Sequence, residues 1–222
     1  MNLWLALSDI HGNGSSLTRI LKACPPLEGV LLLGDITHKG GFKEAQEILG
    51  LLEAKLKEGG FILGVFGNMD MRGVSDYLEQ RNFLLHGQGL KKQRIGIFGL
   101  GGSSPTPFNT PSEFSEEELT LLLATGYAQI KDCPVKILLS HAPPFSTTCD
   151  RTMMGLHAGS KAVRDFLLKE AVDICLCGHI HEARGQDRVG NCFCYNLGPA
   201  KDGYYALLEI GNSELKVLLK EA

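Results

Sequence analysis

Several things are missing from this chain, and each absence removes a class of function. Positive charge is not in excess: 22 Lys and Arg stand against 25 Asp and Glu, for a formal net charge of −3. Duplex nucleic acid is held through its phosphates by a basic footprint, so no duplex-binding module is expected. No apolar run approaches the ~18 residues of a membrane span. The apolar start, MNLWLALSD, lacks a basic leader and a small-residue cleavage site, and reads as a first strand. The expectation is a cytoplasmic protein with no membrane partner. The seven cysteines include no C-x2-C knuckle. Cys175, Cys177, Cys192 and Cys194 alternate on apolar runs instead, which suits small core residues in a reducing compartment better than a zinc site. No repeat, low-complexity tract or linker interrupts the 222 residues, and 44% of them are hydrophobic. One domain over residues 1–222 with one sizeable core is expected.

What is present is alternation. Leu3–Leu7, Val30–Leu33 and Phe61–Phe66 read as strands, with helices at Ser15–Cys24 and Phe42–Lys57 between them. That order predicts βαβ units and a largely parallel sheet with both faces covered. A short helix at Gly73–Arg81 precedes strands at Phe83–Leu90 and Arg94–Leu100, separated by a polar turn at Lys91, Lys92 and Gln93. A Gly-, Ser-, Pro- and Thr-rich loop at 101–113 leads to a capping box, Ser115 with Glu118, and a helix at Glu116–Ala128. Strand Val135–Ser140, a loop at 142–159 and helix Ser160–Glu170 follow. The apolar run before Gly178 then reads as a buried strand, and Cys192–Asn196, Tyr204–Ile210 and Leu215–Leu219 as a closely spaced, antiparallel end. Those last apolar strands could supply a homodimer edge.

The chemistry lies at the strand ends. Successive strands run out into SDIHGN, GD, GNMD, SHAPP and GHIH, and so deliver Asp9, His11, Asp35, Asn68, His141, His179 and His181 to one edge. In extended backbone, positions i and i+2 share a side, so His179 and His181, like Asp9 and His11, are expected to face one point. Imidazoles gathered at a buried point need a user for their lone pairs, and a divalent metal is the usual one. A carboxylate between two such groups, Asp35, could bridge a pair of ions, and Asn68 offers a neutral oxygen. Ions ~3.5–4 Å apart clamp the attacking and leaving oxygens of phosphoryl transfer.

In that order the five motifs resemble the calcineurin-like metallophosphoesterase superfamily, specifically its small prokaryotic branch, and they span Ser8 to His181. The resemblance implies an α/β fold, a two-sheet β-sandwich flanked by helices in four α/β/β/α layers. It implies that Asp9, His11 and His181 hold one ion, that Asn68, His141 and His179 hold the other, and that Asp35 bridges them. A metal-activated hydroxide would then attack phosphorus in line, with Asp35, Asn68 and Asp70 in the catalytic centre. The expected cofactors are two divalent ions, Mn²⁺ first, with Fe²⁺, Zn²⁺ or Ni²⁺ as alternatives. The expected substrate is a small or nucleotide-like phosphate ester.

One departure matters. Where many members carry GNHD or GNHE, this chain has Met69, which has no proton to give. General acid assistance contributes ~10²–10⁴-fold, so its absence favours diesters or activated esters. His38, three residues past Asp35, and His157, in the loop after His141, are candidates to replace that histidine, against the plainer reading of exposed loop residues. Arg72 could meet phosphate or be solvated. Ser160 could open an anion site at a helix N-terminus or serve as an ordinary N-cap. His86 falls in a predicted strand and reads as structural. Two rivals remain: a nuclease acting on short single strands, and a non-catalytic metal-binding scaffold, which one eukaryotic branch of the superfamily became.

Overall fold

The computed structural model describes residues 2–211 and 215–222. Eleven strands and five α-helices are found among them. The first sheet contains β1 (Asn2–Leu7), β2 (Leu27–Leu33), β3 (Leu56–Val65), β10 (Tyr204–Ile210) and β11 (Leu215–Glu221), in the order β11-β10-β1-β2-β3. Strands β1, β2 and β3 run parallel, and β10 and β11 close the sheet antiparallel. The second sheet contains β4 (Gly89–Lys92), β5 (Ile95–Leu100), β6 (Val135–Ser140), β7 (Ile174–Cys177), β8 (Gly185–Val189) and β9 (Cys192–Asn196), in the order β4-β5-β6-β7-β9-β8. Its middle strands, β5, β6, β7 and β9, are parallel, and β4 and β8 are antiparallel edges.

Period-two alternation of apolar residues decides the layering. Ala6, Leu31, Leu33 and Val65 of the first sheet meet Ile97, Ile137, Leu139 and Leu176 of the second in an inter-sheet core. The other face of the first sheet, through Leu5, Leu7, Val30 and Leu32, buries the apolar stripes of α1 (Gly14–Ala23), α2 (Phe42–Glu53) and α3 (Arg72–Gln80). The outer face of the second carries α4 (Glu116–Ala128) and α5 (Lys161–Lys169) on Phe98, Leu138, Cys175, Cys177, Cys192 and Cys194. The result is the expected four-layer α/β/β/α sandwich. All seven cysteines are free and buried, as core residues.

The structure amends several sequence expectations. Helix α2 ends at Glu53 rather than Lys57, because Leu56 already pairs with Leu27 of β2 and opens β3. Residues 83–88 are not a regular strand but a tie between the two sheets. Gly64 of β3 exchanges backbone hydrogen bonds with Phe83 and Leu85, and Gly99 of β5 does so with Gly87 and Gln88. Lys91 and Lys92, expected in a turn, belong to β4. Strand Cys192–Asn196 pairs parallel with β7 rather than joining the antiparallel end. Strand β11 is indeed an edge of its sheet, but Leu215, Val217 and Leu219 turn onto the inter-sheet core. No helix among the described residues is long and apolar enough to cross a membrane.

Candidate metal centre

Loops after β1, β2, β3, β6 and β7 meet at one end of the sandwich, stitched by backbone hydrogen bonds. Asp9 N–H donates to Gly34 O (3.0 Å), His11 N–H to Asp35 O (2.9 Å), His141 N–H to Leu100 O (3.0 Å) and Gly178 N–H to His141 O (3.1 Å). Asn13, closing the first motif, caps α1 by accepting from Ser16 N–H. Two glycines are fixed by close approach: a Cβ on Gly67 would collide with Asp35 Oδ1, and one on Gly178 with Ser8 Oγ.

The expected extended i, i+2 geometry is not what brings the side chains together. Strand β7 stops at Cys177, His179 is left-handed at φ 67°, and His181 opens a 3₁₀ turn. Asp9, His11 and Asp35 are left-handed too, at φ 55°, 47° and 48°. Four non-glycine residues in this region at one site mark strain that the surrounding hydrogen bonds enforce. The convergence comes from these turns, not from strand pleating.

Within the cluster, atoms of the kind that bind metal crowd one another. His141 Nδ1 lies 2.7 Å from the carbonyl of Leu33, which can only accept, so Nδ1 carries the proton. In the neutral ring Nε2 is then a lone pair, and it faces Asn68 Oδ1 at 2.9 Å. Nearby, His11 Nε2 is 3.3 Å from His181 Nε2, which also lies 3.3 Å from Asp9 Oδ1; the hydrogen bond to Asp9 raises the His181 pKa, so His181 donates there a proton that a bound ion would replace. The two oxygens of Asp35 divide between the groups: Oδ1 is 3.7 Å from His141 Nε2, and Oδ2 is 3.7 Å from His11 Nε2. His11 Nδ1 is buried without a hydrogen-bond partner. Buried polar groups crowded in this way are costly, and a shared cation would use their lone pairs. Two overlapping sets, Asp9 with His11 and His181 and Asp9 with Asp35 and His141, place donor atoms close enough to hold an ion. The His179 ring lies 5.0 Å from that of His141, outside both sets, while the His179 backbone N–H donates to Asp9 Oδ2.

The titration behaviour fits a crowded, buried group of carboxylates and imidazoles. Burial pushes Asp35 up to about 7; His141 opposes the rise, and Asp9 and Asp70 add to it. Burial also works to raise Asp9, but the His181 hydrogen bond and the charges of His141 and His181 hold it well below the usual carboxylate range. Burial brings His11 down to about 4 and His179 to about 3, which leaves both rings neutral and able to ligate.

The remaining candidates separate cleanly. Asp70 is buried with both oxygens engaged, accepting from the N–H groups of Ile36, Thr37 and Gly67 and from the Thr37 hydroxyl. It braces two of the converging loops rather than facing the cluster. His38 is exposed at the rim, its ring 5.7 Å from that of His11. His157 is spent on Asp150, at 2.7 Å. The Arg72 side chain is 93% exposed beside Asp76. Ser160 is an N-cap and not an anion site, because Glu116 fills the helix N-terminus: its carboxylate accepts from Ser160 Oγ and from the N–H groups of Lys161 and Ala162. His86 stacks against Phe66 and Phe114 and accepts from Gly101 N–H, a structural role. Thr110 and Glu113 went unread as site residues, since their link to Asn68 runs through space from a loop with no motif.

Comparison with known proteins agrees with this picture. A model of the calcineurin-like phosphoesterase family matches residues 4–183. The uncharacterized protein MJ1162 of Methanocaldococcus jannaschii is 35% identical over 199 residues, covering 88% of this chain and 87% of its own length. Among solved structures, TT1561 of Thermus thermophilus aligns with a TM-score of 0.70 at 18% identity, over 98% of each chain. A dimetal phosphatase from Danio rerio aligns at 0.64 and 14% identity, over 99% of this chain and 96% of that one. At those identities the two structures speak to the fold.

Proposed function

The chain belongs to the calcineurin-like phosphoesterase family, whose members are metal-dependent hydrolases, and from that premise we propose that it hydrolyses a small phosphate ester, a diester in preference to a monoester, at a dinuclear centre. The observation that carries the reading is the convergence of buried ligand atoms, above all Asn68 Oδ1 at 2.9 Å from His141 Nε2 and His181 Nε2 at 3.3 Å from both His11 Nε2 and Asp9 Oδ1. Asp9, His11 and His181 hold one ion in this reading; Asn68, His141 and His179 hold the other; and Asp35 offers one oxygen to each side. Two bound divalent ions, Mn²⁺ in our proposal, supply charge neutralisation at the phosphoryl oxygens and a nucleophile from water at neutral pH.

The protein's own part is orientation. Met69 N–H fixes Asp35 Oδ1 at 2.8 Å. Ser8 Oγ–H and His179 N–H fix Asp9 Oδ2, so Oδ1 points to His11 and His181. The Leu33 carbonyl fixes the tautomer of His141, as partners of ligating histidines commonly do. Met69 leaves the leaving group without an acid from that position. The rim ring of His38 is the group positioned to hold that proton, whereas His157 is occupied by Asp150. We also propose that residues 1–222 form one domain working in the cytoplasm.

Turnover on matched aryl phosphate monoester and diester substrates, after chelation and Mn²⁺ add-back, tests the reading. Activity should vanish on chelation and return with Mn²⁺, faster on the diester, and His38→Ala should slow the monoester about 10²-fold while sparing the diester. Full turnover by the chelated protein would overturn the proposal.

A further inference from the structure

Asn68 is the one amide in the proposed ligand set, and its amide has two faces. Only the oxygen can bind a cation; the NH₂ group would present protons. Beside a neutral His141, the form that can ligate a metal, a free amide would turn its NH₂ toward the Nε2 lone pair, making an ordinary hydrogen bond and hiding the ligand atom. The structure has it the other way round: Oδ1 faces His141 Nε2 at 2.9 Å, and Nδ2 donates to Thr110 Oγ1 at 3.0 Å.

The reason lies in the loop before α4. Thr110 Oγ1 is 2.5 Å from Glu113 Oε1, so its proton goes to the carboxylate, and toward Asn68 the hydroxyl can only accept. Glu113 is itself clamped: the same Oε1 accepts from Thr110 N–H at 2.8 Å and from the Thr106 hydroxyl at 2.6 Å. The backbone joins the two segments as well, with Ser112 N–H donating to Asn68 O at 3.1 Å. We propose that Thr110 and Glu113 are positioning residues, a directed relay from carboxylate to hydroxyl to amide that holds the Asn68 oxygen toward the metal at the cost of its hydrogen bond to His141. The proposal rests on the reading of Asn68 as a ligand.

The relay differs from an ordinary loop contact in the sign of one effect. A contact that merely holds the loop would lower the melting temperature of the metal-free protein when removed. Removing the relay frees Asn68 to turn and donate to His141, which offsets that loss, while the ion loses its ligand. The test is calorimetric titration of Mn²⁺ into metal-free protein, with thermal melting in chelator. Wild type should take up two ions. In Thr110→Val, which keeps the shape and loses the hydroxyl, one of the two should bind about 10–100-fold more weakly, with the chelated melting temperature unchanged. Thr110→Ser should restore wild-type binding. Glu113→Gln, which removes the charge that takes the hydroxyl proton, should weaken the same ion.

Wild-type Mn²⁺ affinity in Thr110→Val, or a chelated melting temperature that falls while binding holds, would overturn the relay and leave the dinuclear reading standing. A Thr110→Ser variant as weak as Thr110→Val would also overturn it, since the hydroxyl is then not what matters. A wild-type protein that binds no ion through Asn68 would remove both readings at once.

Discussion

Two pairs of buried aspartates sit in this molecule, and they are used in opposite ways. Asp70 and Asp150 are saturated by donors. Asp70 takes three backbone N–H groups and a hydroxyl, and Asp150 takes the N–H groups of Ser146, Thr147 and Gly159 together with His157. Asp9 has Oδ2 pinned by donors and Oδ1 turned toward His181 at 3.3 Å; Asp35 takes one donor, Met69 N–H on Oδ1, and its two oxygens lie 3.7 Å from His141 and from His11. All four are buried. Burial alone therefore does not identify a functional carboxylate. What marks the second pair is oxygen turned toward a buried group of imidazole nitrogens that a cation can share, rather than saturated by backbone donors.

This contrast can be broken by substitution. Asp35→Asn should produce the largest change, a loss of turnover on the order of 10³-fold, about 4 kcal/mol, because the oxygen shared between the two proposed ion sites is neutralised. In chelator the same variant should be more stable than wild type in urea denaturation, since a crowded buried charge has gone. Asp70→Ala should behave in reverse. It strands several buried donors, so stability should fall by about 3 kcal/mol in chelator, with Mn²⁺ still recovering activity in the folded fraction. A stabilised Asp70→Ala or a destabilised Asp35→Asn would erase the distinction.

A smaller effect tests the tie between the sheets. Burial lowers His86 to about 4 from an ordinary 6.5. The unfolded chain takes up that proton as pH falls below 6.5, and the folded chain does not until about 4. The contribution is therefore fully present above 6.5 and is lost as pH falls through that window. His11 and His179 shift in the same direction, so the measurement is the difference between wild type and His86→Asn, whose Oδ1 can still accept from Gly101 N–H. Equal pH slopes in the two proteins would contradict the assignment.

Much of the architecture was legible because both sheets are covered by helices. Strands such as Val30–Leu33 and Val135–Ser140 are apolar almost throughout, and the capping box at Ser115 and Glu118 is local. Strand β8, GQDRV, was not legible: it is a polar edge strand, paired on one side only, and carries no periodic signal. The seven candidate ligands were readable from motif order, yet the geometry that gathers them was not, because left-handed turns at Asp9, His11, Asp35 and His179 are imposed by bonds between loops distant in sequence. The same distance hid the ends of other contacts. Glu116 closes the N-terminus of α5 from another helix, and Glu113 reaches Asn68 through Thr110. Side chains whose partners lie tens of residues away leave no trace in local pattern.

The central claim is that the converging Asp, Asn and His side chains are cation ligands. The most direct measurement is the number of Mn²⁺ ions bound per chain at equilibrium, compared between wild type and Asp35→Asn. Two ions in wild type, with binding weakened at both sites in Asp35→Asn, is the predicted result. A wild-type chain that binds none, or an Asp35→Asn chain that binds two as tightly as wild type, would contradict it.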